Sequence, residues 1–473
     1  SRLWGGASHL RAIEETIHST VSDSTEKICT IRPKSSALFK TYDGIEIVGQ
    51  RMLIEVLQEV QHLLHVDGIA ITKISFVGYS LGGLISRYII GELEKLKFFD
   101  TVEPQYFTTF ASPHLGVCFF KPRYRILNIL GTSLLGLVGR ELFISDQGKI
   151  LVQLSGGDYI KGLERFKKRF LFANIRHDRS VNFYTAYITN KNPFEQHWDQ
   201  LDLKFDFDED LLSTYTVRGI DIKPRIVNLE KSTFRDENYQ PEKPTIGKRL
   251  EYAGVLLLVC CVLPFWIPIV FTASTVGSIT SYFIVKTYKG PDVDALRDLA
   301  NSRNINKSEG SEISDNEEED NEPFQERMED ATGEALENVM NIGEYRPSTG
   351  GSTKDKLLDK SKQFIKDAPK VLILKTKVET LFQNIKKFVN PDVEQYEIFQ
   401  KTEALPLDKD REYILQNLNN LNWIKFAVYV NVLNAHDGII ARKGLKKSTV
   451  KGVATVYFWG ELINREIKGE QIK

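Results

Sequence analysis

At 473 residues, with 42% apolar and 26% charged residues, the chain has an ordinary globular composition and is long enough for an α/β enzyme with insertions. A formal net charge of −1 gives none of the basic excess a nucleic-acid partner would call for. The four cysteines, Cys29, Cys118, Cys260 and Cys261, have no metal-ligand spacing, so no metal or cofactor is expected and a reduced, cytosol-facing protein fits better than a secreted one.

In chain order, Leu3-Trp4-Gly5-Gly6 reads as a loop. No apolar signal segment follows Ser1, and the missing initiator Met leads to the expectation that residue 1 is not the true start. Residues 8–19 form an expected helix with Leu10, Ile13 and Ile17 on one face, and 27–32 a short strand. After the turn signal Thr41-Tyr42-Asp43-Gly44-Ile45, helical spacing of Met52, Leu53, Val56, Leu57, Val60 and Leu64 predicts a helix over about 47–64. The apolar strand 73–77 runs into Gly78-Tyr79-Ser80-Leu81-Gly82-Gly83 and then an amphipathic run over 84–96. This is the G-x-S-x-G pattern of a nucleophile elbow, in which Gly78 and Gly82 relieve crowding around a strained serine.

The alternation of strands and helices predicts a parallel sheet with crossover helices. Residues 105–110 form its next strand, ending in Ala111-Ser112-Pro113-His114-Leu115-Gly116 at the edge where such sheets place their sites. Residues 119–143 are an apolar insertion, either a lid over an acyl pocket or buried helices. Strand 170–175 leads to His177, Asp178 and Arg179, and 194–240 is polar and unassigned. Residues 253–285 carry no charge and contain Pro264 and Pro268, with Lys248 and Arg249 before and Lys286 and Lys289 after. An acidic, apolar-poor stretch follows over 301–350, helical periodicity returns over 357–388, and strand 424–430 leads into His436.

Ser80 needs a base and a carboxylate to orient it. Behind such an elbow the acid follows a later strand and the histidine the last one, and among eight histidines only His436 meets that description. Asp178 is the candidate acid, with Asp158 in reserve; Asp437 is too close in sequence to His436 to pair with it. The backbone N–H of Leu81 and that of Leu3 are the candidate oxyanion donors.

Taken together, Leu3-Trp4-Gly5, Ser8-His9-Leu10, Thr41-Tyr42-Asp43-Gly44-Ile45, the elbow, Ala111-Ser112-Pro113-His114-Leu115-Gly116, Asp178-Arg179-Ser180-Val181 and the His436 loop resemble serine esterases of the α/β-hydrolase fold that include fungal lipid-droplet phospholipases. The resemblance covers residues 1 to about 190 and 410–445. It implies Ser80 as nucleophile, Asp178 as acid, His436 as base and a glycerolipid acyl ester as substrate, a phospholipid before a neutral glyceride. Members of that family carry a strand and His-Gly where Ser1 and Arg2 stand, so the first central strand is expected to be missing; a catalytically inactive droplet-bound scaffold is the alternative.

Ser80 and Asp178 precede the uncharged segment and His436 follows it, so a working triad requires both of its ends on one side of a membrane. The expected organisation is therefore a hydrolase core over 1–240 with its insertion at 119–143, an apolar membrane hairpin over 253–285, a disordered acidic linker over 301–350, and a helical segment with the C-terminal completion of the core over 357–473. A lipid-droplet monolayer or the cytosolic face of the endoplasmic reticulum is the expected location.

Overall fold

The computed structural model describes residues 7–21, 27–33, 38–121, 125–208, 215–236, 268, 271–301, 373–375, 385–389, 391–432 and 434–469. Four strands make the central sheet: β1 (Lys73–Tyr79), β2 (Glu103–Phe110), β3 (Lys168–Asn174) and, from far along the chain, β9 (Trp423–Val428). Their order is β1-β2-β3-β9 and every pairing is parallel. β9 is buried at every position and β2 at every position after Glu103, as parallel strands covered on both faces require. The polar stretch without a sequence assignment holds short antiparallel pieces. β4 (Leu201–Asp202) pairs with β7 (Thr233–Phe234), and β5 (Tyr215–Val217) lies between β6 (Ile220–Ile222) and β8 (Ile373–Lys375).

One face of the sheet is covered by α2 (Ile45–His65), α3 (Leu81–Lys95) and α6 (Gly157–Glu164), which bury Leu53, Leu84, Ile89 and Leu163 with Phe107 and Trp423. The other is covered by α1 (Arg11–Thr20) and α8 (Val450–Ile467), whose Ile13, Val453 and Phe458 pack on Phe110, Phe172 and Phe426. Those three phenylalanines stand on successive strands and stack at 4.7 and 4.8 Å between ring centroids. Residues 27–33 belong to no strand, against expectation, because a β-branched run becomes a strand only when a neighbour takes its hydrogen bonds.

The apolar insertion divides into α4 (Arg125–Leu134) and α5 (Gly136–Leu142). α5 is a buried helix, with Val138 and Leu142 in the core, whereas α4 leaves Ile126 and Ile129 exposed. Glu141 of α5 is buried and accepts the backbone N–H of Ile45, the first residue of α2, at 2.6 Å. Burial pushes its carboxyl up to about 8. The folded state thus keeps a proton that the unfolded chain releases near pH 4.5. Stability therefore falls by roughly 1.4 kcal/mol per pH unit from about pH 4.5 to 8 through this group alone, and levels off above. Glu141→Gln, which can still accept from Ile45, is expected to flatten that slope and to raise the melting temperature at pH 8, read from thermal unfolding across pH 5–9.

The membrane hairpin expected over 253–285 is not found among the described residues. Residues 271–287 form one helix, α7, and among the described residues no helix is long and apolar enough to cross a membrane. Pro264 and the rest of 253–267 lie outside the described residues, as do 302–350, where the acidic linker was expected. α7 docks on the insertion through its hydroxyls. Ser278 donates to Leu134 O at 2.9 Å and accepts from Gly136 N at 3.1 Å, and Tyr42 donates to Ser274 at 3.3 Å. Absence of charge alone hid the small, hydroxyl-bearing face of Ser274, Gly277, Ser278 and Ser281 that lets another backbone approach. The opposite face exposes Phe271, Val276, Ile279, Tyr282 and Phe283.

Candidate active site

β1 delivers its last residues to the C-terminal edge of the sheet, where the chain turns at Ser80 and enters α3. Ser80 sits at φ 54° and ψ −129°, a conformation that costs a side-chain-bearing residue on the order of 1–3 kcal/mol. Its N–H bonds Phe110 O at 3.0 Å, so the turn is tied to β2. The glycines that permit this geometry are Gly78 and Gly83. A Cβ on Gly78 would lie 2.4 Å from Gly83 Cα, and one on Gly83 would lie 2.1 Å from Ser112 Oγ. The sequence motif points to Gly82 as the second relief position, whereas the close approach to Ser112 falls on Gly83, because which face of α3 meets the neighbouring loop is a tertiary matter. Gly78→Ala is expected to destabilise the fold by about 1–3 kcal/mol, as overpacking does, and to lower the melting temperature measured by calorimetry.

His436 reaches Ser80 from a short helix, Ala435–Gly438, that follows β9. Its Nε2 is 2.9 Å from Ser80 Oγ and its Nδ1 is 2.8 Å from Asp178 Oδ2. Asp178 lies on the loop after β3, and its other oxygen, Oδ1, accepts the N–H groups of Ser180 at 3.0 Å and Val181 at 2.8 Å. That leaves Oδ2 for the imidazole. The three side chains are nearly closed off, with Ser80 7% exposed, His436 1% and the Asp178 side chain 3%. Ala435 N donates to His177 O at 3.4 Å, joining the acid loop to the base loop. Arg176, a possible ionic partner for Asp178, instead lies over the Trp198 ring at 3.9 Å.

Other sequence candidates are elsewhere. Asp158 pairs with Lys161 on the surface of α6. His114 is fully buried against Thr109 Oγ1 at 3.0 Å, and burial, with Arg87 and Lys425 nearby, holds its imidazole well below its usual range, as befits a neutral structural residue. Leu81 is the first residue of α3, so its N–H lies at the positive end of that helix. Leu3 lies outside the described residues.

Sequence reasoning missed the residues that hold His436. Tyr79 Oη donates to His436 O at 3.1 Å and to Asp437 Oδ1 at 2.8 Å, and the Tyr79 ring packs against the imidazole with centroids 5.0 Å apart. Asp437 Oδ2 also takes Arg442 Nη1 at 2.8 Å and Asn434 Nδ2 at 2.7 Å, while Arg442 Nη2 lies 2.9 Å from His9 Nε2. The Asp437 carboxylate is thus taken by Tyr79, Arg442 and Asn434, and its position beside His436 was the one available hint that it holds this loop.

Residues 2–191 match the family model described as Putative serine esterase (DUF676), a stretch that contains Ser80 and Asp178 but not His436. The chain is 33% identical over 180 residues to the Putative lipase ROG1 of Saccharomyces cerevisiae, covering 37% of this chain and 25% of that protein. It is 31% identical over 180 residues to the Putative lipase YDL109C of the same yeast, covering 37% of this chain and 27% of the relative. To the Putative lipase C4A8.10 of Schizosaccharomyces pombe it is 28% identical over 204 residues, covering 38% and 26%. The chain thus spans about a quarter of the length of the curated relatives it matches. No solved structure matches.

Proposed function

We propose, from the match of residues 2–191 to the serine esterase family model, that the chain is a serine hydrolase of the α/β-hydrolase type, cleaving acyl esters of glycerolipids. The observation that carries the reading is the continuous relay from Ser80 Oγ through His436 to Asp178. His436 Nε2 takes the Ser80 proton as Oγ attacks the acyl carbonyl. The Leu81 N–H faces the oxyanion that forms, and His436 returns the proton to the departing alcohol, leaving an acyl-serine. Water, deprotonated by the same imidazole, then releases the fatty acid. Asp178 holds the imidazole tautomer with Nε2 free to accept.

Phospholipid is the preferred substrate on family resemblance, with neutral acylglycerol as the second reading, and the work place is a lipid surface such as a droplet monolayer or the cytosolic face of the endoplasmic reticulum. The exposed apolar side chains of α4 and α7, on helices joined through Ser278, with Lys286 and Lys289 at the end of α7, support a surface that rests on lipid. Full burial of one phenylalanine contributes about 1.5–3 kcal/mol. Phe271→Ser with Phe283→Ser is therefore expected to weaken binding to phosphatidylcholine-coated droplets by about a hundredfold, read by flotation; unchanged flotation rejects this surface.

The activity test is fluorophosphonate labelling of Ser80 together with hydrolysis of phospholipid-coated droplets and of triacylglycerol emulsions. Labelling with faster phospholipid turnover supports the leading reading. Labelling with glyceride turnover alone moves it to the second. No labelling and no turnover leaves the scaffold alternative.

A further inference from the structure

The base loop continues past the triad to the surface. After the helix Ala435–Gly438 that carries His436, the chain buries Ile439, Ile440 and Ala441 and emerges at Lys443. One turn of helix, Gly444–Lys447, is pinned by buried Leu445, and Ser448 N donates to Gly444 O at 3.0 Å, so Lys446 and Lys447 stand exposed on a fixed backbone. α8 begins at once behind the Thr449 cap, and its first turn presses on the base helix: a Cβ on Gly452 would lie 2.1 Å from Gly438 O. Residues 439–460 hold Arg442, Lys443, Lys446, Lys447 and Lys451 and no acidic residue. Arg442 pairs with Asp437, whereas among the described residues the ammonium groups of Lys443, Lys446 and Lys447 make no ion pair.

The hairpin of β5 and β6 adds to this surface. Its two-residue turn, Arg218-Gly219, has φ 53° and 75°, the geometry of a tight hairpin tip. Arg218 Nη1 donates to Lys446 O at 2.7 Å and Nη2 donates to Ser448 O, so the guanidinium is held on the lysine turn by carbonyls rather than by a carboxylate. Ile220, at the start of β6, is 40% exposed. Asp221 accepts from Thr216 Oγ1 at 2.5 Å and leaves the group net positive, one carboxylate against four cations. The whole-chain balance of −1 conceals such a patch, because residues 301–350 hold 14 of the 63 acidic residues and 4 of the 62 basic ones, which leaves +9 on the rest.

We propose that Arg218, Lys443, Lys446 and Lys447 form a docking surface for anionic phospholipid, which sets the lipid plane beside the base loop with Ile220 reaching below the headgroups. Charge complementarity calls for a polyanion. The exposed isoleucine among the cations selects a lipid surface over a nucleic acid, whose phosphates meet the donors but offer no acyl layer. The apolar face of α4 and α7 is a separate contact, indifferent to lipid charge, whereas this one responds to headgroup charge and to salt. The inference rests on the lipid-surface reading and adds the charge that the surface must carry.

The test is sedimentation of the full natural polypeptide with vesicles of phosphatidylcholine alone and with vesicles containing about one third phosphatidylserine. The parent is expected to prefer the phosphatidylserine vesicles. Each lysine near an anionic surface contributes roughly fivefold in partition, so Lys443→Gln with Lys446→Gln and Lys447→Gln should bind them on the order of a hundredfold more weakly, with phosphatidylcholine binding unchanged. Arginine at the same three positions should keep the binding, and salt should remove it as the Debye length shrinks from about 8 Å toward 3 Å. Equal partition of the parent onto the two kinds of vesicle overturns the proposal, as does a glutamine variant that matches the parent or loses both kinds alike. If the glutamines abolish binding to a single-stranded oligonucleotide and leave vesicle binding intact, the patch belongs to nucleic acid instead. Hydrolysis is not the readout: a protein that binds anionic vesicles through these lysines and hydrolyses no lipid loses the enzyme reading and keeps the docking surface, and one that hydrolyses phosphatidylcholine droplets while indifferent to lipid charge does the reverse.

Discussion

Ser80→Ala is expected to lower ester hydrolysis on the order of a millionfold, to the background set by binding and the oxyanion donor alone, while the far-ultraviolet circular dichroism and the melting temperature stay close to those of the parent. The size follows from what the hydroxyl does. Without Oγ no acyl-serine forms, and His436 Nε2 has lost the hydroxyl it accepts from, so the remaining groups cannot act as a unit. The fold should tolerate the change because alanine removes one small polar atom from a site already nearly closed to water, and relieves none of the backbone constraint held by Gly78 and Gly83. Fluorophosphonate labelling of the parent and not of the variant identifies the nucleophile directly. Equal hydrolysis by the two proteins would remove Ser80 from the mechanism.

Asp178→Asn is expected to cost roughly ten-thousandfold in kcat with little change in KM. The asparagine carbonyl can still accept the N–H groups of Ser180 and Val181, so the loop keeps its shape. The amide presented to His436 Nδ1 is a donor, however, and an imidazole that accepts there carries its proton on Nε2, facing Ser80 with a donor where an acceptor is needed. A loss confined to kcat, with an unchanged melting temperature, separates this role from a structural one. If the acid were merely a loop carboxylate, the variant would retain nearly full turnover.

These results would bear on residues read with unequal clarity along the chain. The elbow was legible because its constraints are local: a strand, a serine that must adopt positive φ, and glycines within three residues of it. The parallel sheet was legible because strands alternate with helices along the chain, which calls for crossover connections, even though Glu103–Phe110 and Trp423–Val428 bury Gln105, Thr108, Thr109 and Lys425 beside their apolar side chains. Asp178 and His436 were reachable through chain order, each following a strand at the same edge of the sheet. Residues 27–33 misled for the converse reason, since β-branched composition describes a strand's side chains and not its hydrogen-bond partner.

The sequence by itself thus determined the α/β class and pointed to Ser80, Asp178 and His436 as the residues that meet at one edge of the sheet, through strand-helix alternation, one strained turn and chain order. Only the tertiary structure decided that Gly83 is the glycine pressed against Ser112, and that Tyr79, Asp437, Arg442 and His9 together hold the base loop. It also decided that an uncharged stretch docks through serine hydroxyls on the insertion. Each of these is a contact between residues far apart along the chain, and no local pattern of side chains records which distant surface will meet it.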